Sequence, residues 1–167
     1  DKIIKFFYTG KIAIGFEDVE QILSLSDYLC LDSIKSFCTK FLVDNLTISN
    51  CLIMNALADR YNLEGAYKTS KEFIAKEASK IIATNDNLDY PRDIIVNFLK
   101  NTDFLYAHEA DIFRWIMTWI SADEKRKLVF PELFSFLHVS YFPPFFVSHE
   151  VLQNHLVEEM LSDEIKE

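Results

Sequence analysis

The sequence predicts a mainly helical protein, in which antiparallel helical hairpins stack behind a short α/β segment at the N-terminus. Along most of the chain, apolar residues recur at the spacing of one helix face, i, i+3, i+4 and i+7. The 167 residues include only three glycines and four prolines, too few for the many tight turns of a β-sandwich or barrel. Fifteen phenylalanines and seven tyrosines supply large apolar groups for a core.

The N-terminal segment combines an apolar helical run with one predicted strand. Residues 3–8 lead to Gly10, a residue typical of a helix end. Residues 12–14, between Gly10 and Gly15, indicate a strand of about four residues. Because a strand needs a sheet partner and no later segment resembles one, we expect its partners to precede residue 1 or to belong to another chain.

The rest of the chain predicts helices joined by short connections, which place neighbouring helices antiparallel. Asp32, Ser49 and Ser148 are suited to cap helices, because a short polar side chain can accept from free backbone N–H groups. Pro91 and Pro131 suit a first helical turn, where the missing N–H costs nothing. The predicted helices cover residues 16–29, 32–42, 49–61, 64–82, 91–99, 112–120, 131–137 and 148–156.

Three stretches are predicted to lie outside helices. Residues 84–87 form a polar loop, and residues 158–167 form an acidic tail. The aromatic run at residues 142–146, with two prolines at its centre, has two interpretations. It is either an exposed anchor for a partner or an apolar linker that clamps the helix ends to the core.

Charge and cysteine content limit the classes of partner and compartment. A net charge of −9 argues against nucleic acid, since phosphate binding requires clustered Lys and Arg. Cys30, Cys38 and Cys51 each fall in an apolar helical pattern and are expected to pack as small hydrophobic groups. Their number and spacing do not suggest a disulfide framework. We therefore expect a reducing compartment, cytoplasmic or also nuclear, and no membrane partner.

The sequence contains no motif of a catalytic or cofactor site. It has no GxSxG elbow and no Gly-rich phosphate loop. His149 and His155 are six residues apart, so they face different sides of a helix, unlike the i, i+4 pair of a zinc protease. We expect His155 to be a half-buried side chain on an apolar face. The sequence thus predicts a non-catalytic protein without metal or cofactor.

Several segments, in order, resemble Kelch-like proteins that join a BTB (POZ) domain to a BACK domain. Residues 6–12 (FFYTGKI) resemble the YTG segment late in a BTB domain, and residues 19–29 and 38–42 resemble its last two helices. The similarity to a BACK domain rests on residues 49–52 (SNCL), on Glu109, Ile112, Phe113 and Trp119, and on residues 131–134 (PELF).

This resemblance implies a domain organisation. Residues 1–46 correspond to the C-terminal half of a BTB domain. Residues 47–160 correspond to a BACK domain that opens with a helix pair called the 3-box, and residues 161–167 to a linker. It also implies homodimer formation through the N-terminal BTB half, which would precede residue 1. Kelch repeats that bind protein substrates would follow residue 167.

The resemblance further implies the role of a substrate adaptor in a cullin-3 RING ubiquitin ligase. The BTB domain of the family binds the N-terminal domain of cullin-3, and the adaptor catalyses no reaction itself. A second hypothesis is an interaction or scaffold protein of the same fold that does not recruit cullin-3, such as a transcriptional or cytoskeletal organiser. An unrelated helical-repeat module ranks last, because no signature recurs at a fixed period.

Two sets of partner-contacting residues are carried over from the family. The cullin-contacting φ-x-E motif falls on Val19-Glu20-Gln21, next to Ile22, with Val19 as an apolar knob. Gln21 replaces the usual Glu, and losing one charge-assisted hydrogen bond costs about 1 kcal/mol. A second departure is His138, where the BACK pattern has Arg. The groove of the 3-box is predicted to be lined by residues among Leu57, Tyr61, Leu63, Tyr67 and Phe73, and the alternative is that these residues form the core between its two helices.

Overall fold

The computed structural model describes residues 2–84, 88–100 and 108–161. Most of the predicted loop 84–87 and of the predicted linker 161–167 lies outside these residues. Two 3₁₀-helices, Glu124–Val129 and Val139–Tyr141, and a π-helical turn, Val147–Val151, accompany the α-helices of the described ranges. These α-helices are α1 (Lys2–Thr9), α2 (Val19–Tyr28), α3 (Asp32–Asp44), α4 (Cys51–Arg60), α5 (Glu64–Ala83), α6 (Arg92–Leu99), α7 (Glu109–Ser121), α8 (Phe130–Phe134), α9 (Pro144–Phe146) and α10 (His155–Leu161).

The prediction of a mainly helical fold is confirmed, whereas the predicted strand at residues 12–14 is wrong. Residues 11–15 have no regular structure, and Ile12 and Ile14 instead pack, half-buried, against a helical core. A strand needs a neighbour for its backbone N–H and C=O groups. Since the described residues offer none, the segment is held by this side-chain burial and by hydrogen bonds at its two ends, from the N–H of Lys11 to Oγ1 of Thr9 and from the N–H of Gly15 to Oδ1 of Asp18.

The chain divides into two compact units, Asp1–Ile74 and Ala75–Glu167, and the division falls within α5. In the first unit, one core combines side chains from α2 and α3 with side chains from α4 and the start of α5. Leu23, Ile34, Cys38 and Ala58 are completely buried in it. Residues on both sides of position 46 therefore fold around the same apolar centre.

Helices α2 and α4 end in the same way, without glycine. Cys30 and Asn62 take left-handed backbone angles, with φ of 54° and 53°. The N–H of the next residue then donates a hydrogen bond to a carbonyl near the end of the helix. Leu31 donates to the carbonyl of Ser26, and Leu63 donates to the carbonyl of Ala58, both at 2.8 Å. This pairing satisfies carbonyls at the helix end and turns the chain back sharply. It explains how a chain with three glycines forms compact hairpins.

Several predicted helix starts shift when compared with the structure. Helix α3 begins at Asp32 itself, and Asn50, not Ser49, is the residue before α4. The helix predicted over 148–156 is wrong, because Ser148 lies in the π-helical turn and α10 begins at His155. The side chain of Asn154 accepts a hydrogen bond from the N–H of Leu156 at 3.0 Å, which favours the later start.

The second unit is built around α7. Trp119 is buried, and its Nε1 donates to the carbonyl of Tyr90 at 3.0 Å. The guanidinium of Arg126 lies 4.3 Å from the centre of the Trp119 ring and donates to the carbonyls of Leu88 and Trp119. These contacts tie the segment before α6 and the 3₁₀-helix after α7 to one aromatic side chain.

The aromatic run 142–146 packs onto the core through two of its rings, as its interpretation as an apolar linker predicts, and exposes the third. Phe142 and Phe146 are buried and pack edge-on against Phe113, with ring centroids 6.0 and 5.6 Å apart. Phe145 is exposed and stacks on His149 at 3.9 Å. The run therefore clamps the second unit through alternate rings and leaves one ring at the surface.

The three cysteines differ in exposure. Cys38 and Cys51 are buried as expected, but Cys30 is exposed, because it occupies the turn after α2 and not a helix face. Burial raises the pKa of the Cys38 thiol to about 11 and that of Cys51 to about 12. All three thiols are free.

We therefore expect one reactive thiol in the folded protein. At pH 8, titration with an aromatic disulfide reagent should modify Cys30 rapidly, because the thiolate is the nucleophile and the buried thiols stay protonated. In denaturant all three should react. The variant Cys30→Ser should lose the rapid phase, and a rapid phase that survives this substitution contradicts the burial of Cys38 and Cys51.

Candidate partner-binding site

Helix α2 carries the predicted φ-x-E positions, but it presents only part of them to solvent. Val19, predicted as an apolar knob, is 3% exposed and packs into the core of the first unit. Ile22 is buried in the same core. Gln21 is exposed. As positioned here, Val19 and Ile22 hold α2 in place, and Gln21 is the residue of the three that a partner can reach.

Gln21 borders a depression of about 530 Å³ in the surface of the first unit. Its lining combines one face of α2 with the residue that follows α4, which is Tyr61. Leu25 and Tyr28 are 45% and 83% exposed, so the depression has an apolar and aromatic rim. The lining consists of Glu20, Gln21, Ser24, Leu25, Tyr28 and Tyr61.

Reasoning from the sequence missed Ser24, Leu25 and Tyr28 as parts of this surface. The signal was available, because Gln21, Leu25 and Tyr28 have the spacing i, i+4 and i+7 of one helix face. The apolar spacing of this segment instead pointed to Val19, Ile22 and Leu23, which form the buried face of α2, and left the opposite face unassigned.

An ion pair joins the two helices beside the depression. Nη1 of Arg60, the last residue of α4, donates to Oε1 of Glu20 in the first turn of α2 at 2.6 Å. Each charge also suits its own helix end, an acid at the N-terminus and a base at the C-terminus. The two side chains are 56% and 54% exposed, so the pair contributes ~0–1 kcal/mol to stability.

The five predicted 3-box residues do not share one surface. Leu57 and Leu63 are buried in the core of the first unit, and Tyr61 and Tyr67 pack against it half-buried. Phe73 is half-buried on α5. Tyr61 lines the depression beside Gln21. Leu63 and Tyr67 line a second depression, of about 400 Å³, with Ala58, Asp59, Asn62 and Glu64.

The polar groups of the second unit are arranged in pairs. Nδ1 of His138 lies 3.1 Å from Oε1 of Glu109, whose Oε2 is buried without a hydrogen-bond partner. An Arg side chain carries donors for both oxygens, so His138 leaves this carboxylate half-satisfied.

Arg114 donates to both carboxylate oxygens of Glu150, at 2.8 and 2.6 Å. This contact lowers the pKa of Glu150 and raises that of Arg114.

His155 is exposed, and the expectation of a half-buried side chain is wrong, because the residue opens α10 on its solvent side. Within residues 2–84, 88–100 and 108–161, no three His, Cys, Asp or Glu side chains cluster as metal ligands would. Over the same ranges, no helix combines the length and apolar character needed to span a bilayer.

Comparison with known families agrees with the resemblance drawn from the motifs. The model of the BTB/POZ domain matches residues 1–46, and the model of the BACK domain (BTB And C-terminal Kelch) matches residues 51–152. The chain therefore belongs to the BTB–BACK family of Kelch-like proteins.

Curated relatives carry the same family name. Kelch-like protein 11 of Homo sapiens is 28% identical over 158 residues, which are 94% of this chain and 22% of that protein. Kelch-like protein 25 of Xenopus tropicalis is 26% identical over 93% of this chain and 26% of its own length. Kelch-like protein 13 of Bos taurus is 26% identical over 75% of this chain and 19% of its own length. The chain thus spans about a quarter or less of these relatives.

Substitution of Leu57 tests whether this side chain belongs to the core of the first unit or to a surface groove. Leu57→Ala removes a buried side chain shared by α2, α3 and α4, so we expect the free energy of unfolding to fall by ~2–5 kcal/mol in urea denaturation. Ile53→Ala, on the exposed side of α4, is the matched control and should cost less than ~1 kcal/mol. Equal effects of the two substitutions would contradict the shared core.

Proposed function

We propose that the chain is the BTB–BACK region of a substrate adaptor for a cullin-3 RING ubiquitin ligase. Membership of the family supports an adaptor or interaction role, and such proteins are in general non-catalytic. The observation that carries the proposal is the depression on the first unit, where Gln21 of the φ-x-E motif lies beside Tyr28 and Tyr61. In this proposal the N-terminal domain of cullin-3 docks there.

The chemistry of the depression suits a protein partner. Tyrosine and other aromatic residues are enriched where interfaces derive most of their binding energy, because they bury a large area with few torsions to fix. Tyr28 and Leu25 supply such area, and the Gln21 amide can both donate and accept a hydrogen bond. The second depression, with Leu63 and Tyr67, is the proposed seat of the N-terminal extension of cullin-3.

The remaining parts of the proposal concern the protein as a whole. The boundary between the BTB and BACK segments is placed near residue 46, and residues 161–167 are a linker. Homodimer formation is assigned to the N-terminal half of a BTB domain, and substrate binding to Kelch repeats. The free cysteines support a reducing compartment, cytoplasmic or nuclear.

One observation favours a second function, that of a scaffold that does not recruit cullin-3. Gln21 stands where the family pattern has Glu, so this position offers a neutral group in place of a carboxylate. A charge-assisted hydrogen bond is about twice as strong as a neutral one. If the missing charge lowers the affinity for cullin-3 by more than the aromatic rim contributes to it, the protein does not recruit cullin-3. It then organises other partners through the same fold.

Calorimetric titration of the N-terminal domain of cullin-3 into the protein tests this proposal. We expect micromolar binding or tighter, and a gain of about three- to tenfold in affinity for Gln21→Glu, from the restored charge-assisted hydrogen bond. Leu25→Asp should abolish binding, because it places a charge on the apolar rim. Leu152→Asp, at a similarly exposed leucine of the second unit (51% against 45%), should leave affinity unchanged.

Val19→Asp is not a suitable probe, since a carboxylate in the core would unfold the first unit. Absence of heat with the wild-type protein and restoration by Gln21→Glu would establish the scaffold function. Absence of heat with every variant, in protein shown to be folded by circular dichroism, would overturn cullin-3 recruitment.

A further inference from the structure

The lining of the depression beside Gln21 contains one charged residue, Glu20. The other five lining residues are uncharged, although the chain as a whole has a net charge of −9. The carboxylate of Glu20 is therefore the group that a partner would have to dehydrate when it covers this surface. Burying a carboxylate without a compensating charge or hydrogen bond is unfavourable enough to prevent association.

Arg60, which lies in a different part of the sequence, supplies the positive charge that compensates the carboxylate of Glu20. It follows Glu20 by 40 residues, and its Nη1 reaches Glu20 Oε1 at 2.6 Å. Glu20 lies in the segment that matches the BTB model, and Arg60 in the segment that matches the BACK model. Since an exposed ion pair stabilises a fold little, folding alone gives weak reason for this contact.

We propose that Arg60 is a specificity-determining residue of the partner surface, because it neutralises Glu20 and so allows a partner face without a cation at that point to cover the depression. This inference rests on the proposed function, since it concerns the same surface. It goes beyond it by assigning a role to a residue outside the φ-x-E motif and by stating the chemistry of the partner face. The face opposite Glu20 is uncharged, and a cation there would be repelled by Arg60.

A charge cycle on the two residues tests the role of Arg60, with the N-terminal domain of cullin-3 as the probe. Arg60→Gln leaves Glu20 without its cation, and we expect the dissociation constant to rise at least fivefold. Glu20→Gln removes the carboxylate that Arg60 contacts and adds one net positive charge at this point of the surface, so it should weaken binding in the same way. The double variant Glu20→Gln/Arg60→Gln is neutral again, and its affinity should return to within about twofold of the wild type.

Lys40→Gln is the matched control, because it removes one positive charge from an exposed position of α3 outside the depression. Its affinity should stay within about twofold of the wild type, which separates the local effect from a change in net charge. Circular dichroism and thermal melting of each variant verify that the first unit is folded.

Each outcome bears on one of the two proposals. Wild-type binding that Arg60→Gln leaves unchanged overturns the role of Arg60 while the proposed function stands. So does a double variant as weak as Arg60→Gln, which would mean that Arg60 contacts the partner directly. No binding by the wild type or by any folded variant overturns cullin-3 recruitment, and the inference about Arg60 with it.

Discussion

The structure of the first unit depends on one apolar contact, the burial of α2 and α3 against α4. Leu23 and Ile34 come from the segment that matches the BTB model, and Leu57 and Ala58 from the segment that matches the BACK model. Dense packing of this kind fixes the relative position of the helices to a fraction of a side chain. The packing of the core therefore determines how far Gln21 lies from Tyr61.

The same core explains why a buried face and an exposed face coexist on one helix. Every third or fourth residue of α2, such as Val19, Ile22 and Leu23, is directed inward. The intervening positions Gln21, Leu25 and Tyr28 remain outside. The consecutive residues of a sequence motif therefore belong to both faces of the helix. The structure separates them: the φ position is buried in the core, and the residue two positions later is exposed.

Much of this fold follows from sequence patterns, because helical periodicity is local. The helix containing residues 32–42 and the long helix α5 were both predicted from apolar spacing, and Gly10 marked the end of α1. The strand at 12–14 could not be judged locally, because its pairing depends on distant backbone groups. Cys30 is exposed because it takes a left-handed backbone conformation in a turn. The sequence does not predict this turn, because it contains no glycine.

The candidate surface was only half predictable. Gln21 and Tyr61 were found through the family resemblance, but nothing in the sequence places Tyr61 beside α2 or brings Arg60 within 2.6 Å of Glu20. Such contacts between residues 40 apart depend on the crossing of helices, which periodicity does not specify. The same limit applies to Leu57, whose apolar character suits a groove and a core equally well.

Site-specific photo-cross-linking can detect a partner on α2 next to Tyr61, where the proposed function places it. Benzoylphenylalanine would replace Tyr28 in one sample and Tyr141 of the second unit in another, since these tyrosines are similarly exposed, 83% and 74%. With the N-terminal domain of cullin-3, we expect a cross-linked species from position 28 and none from position 141. Cross-linking from position 141 alone would contradict docking on α2.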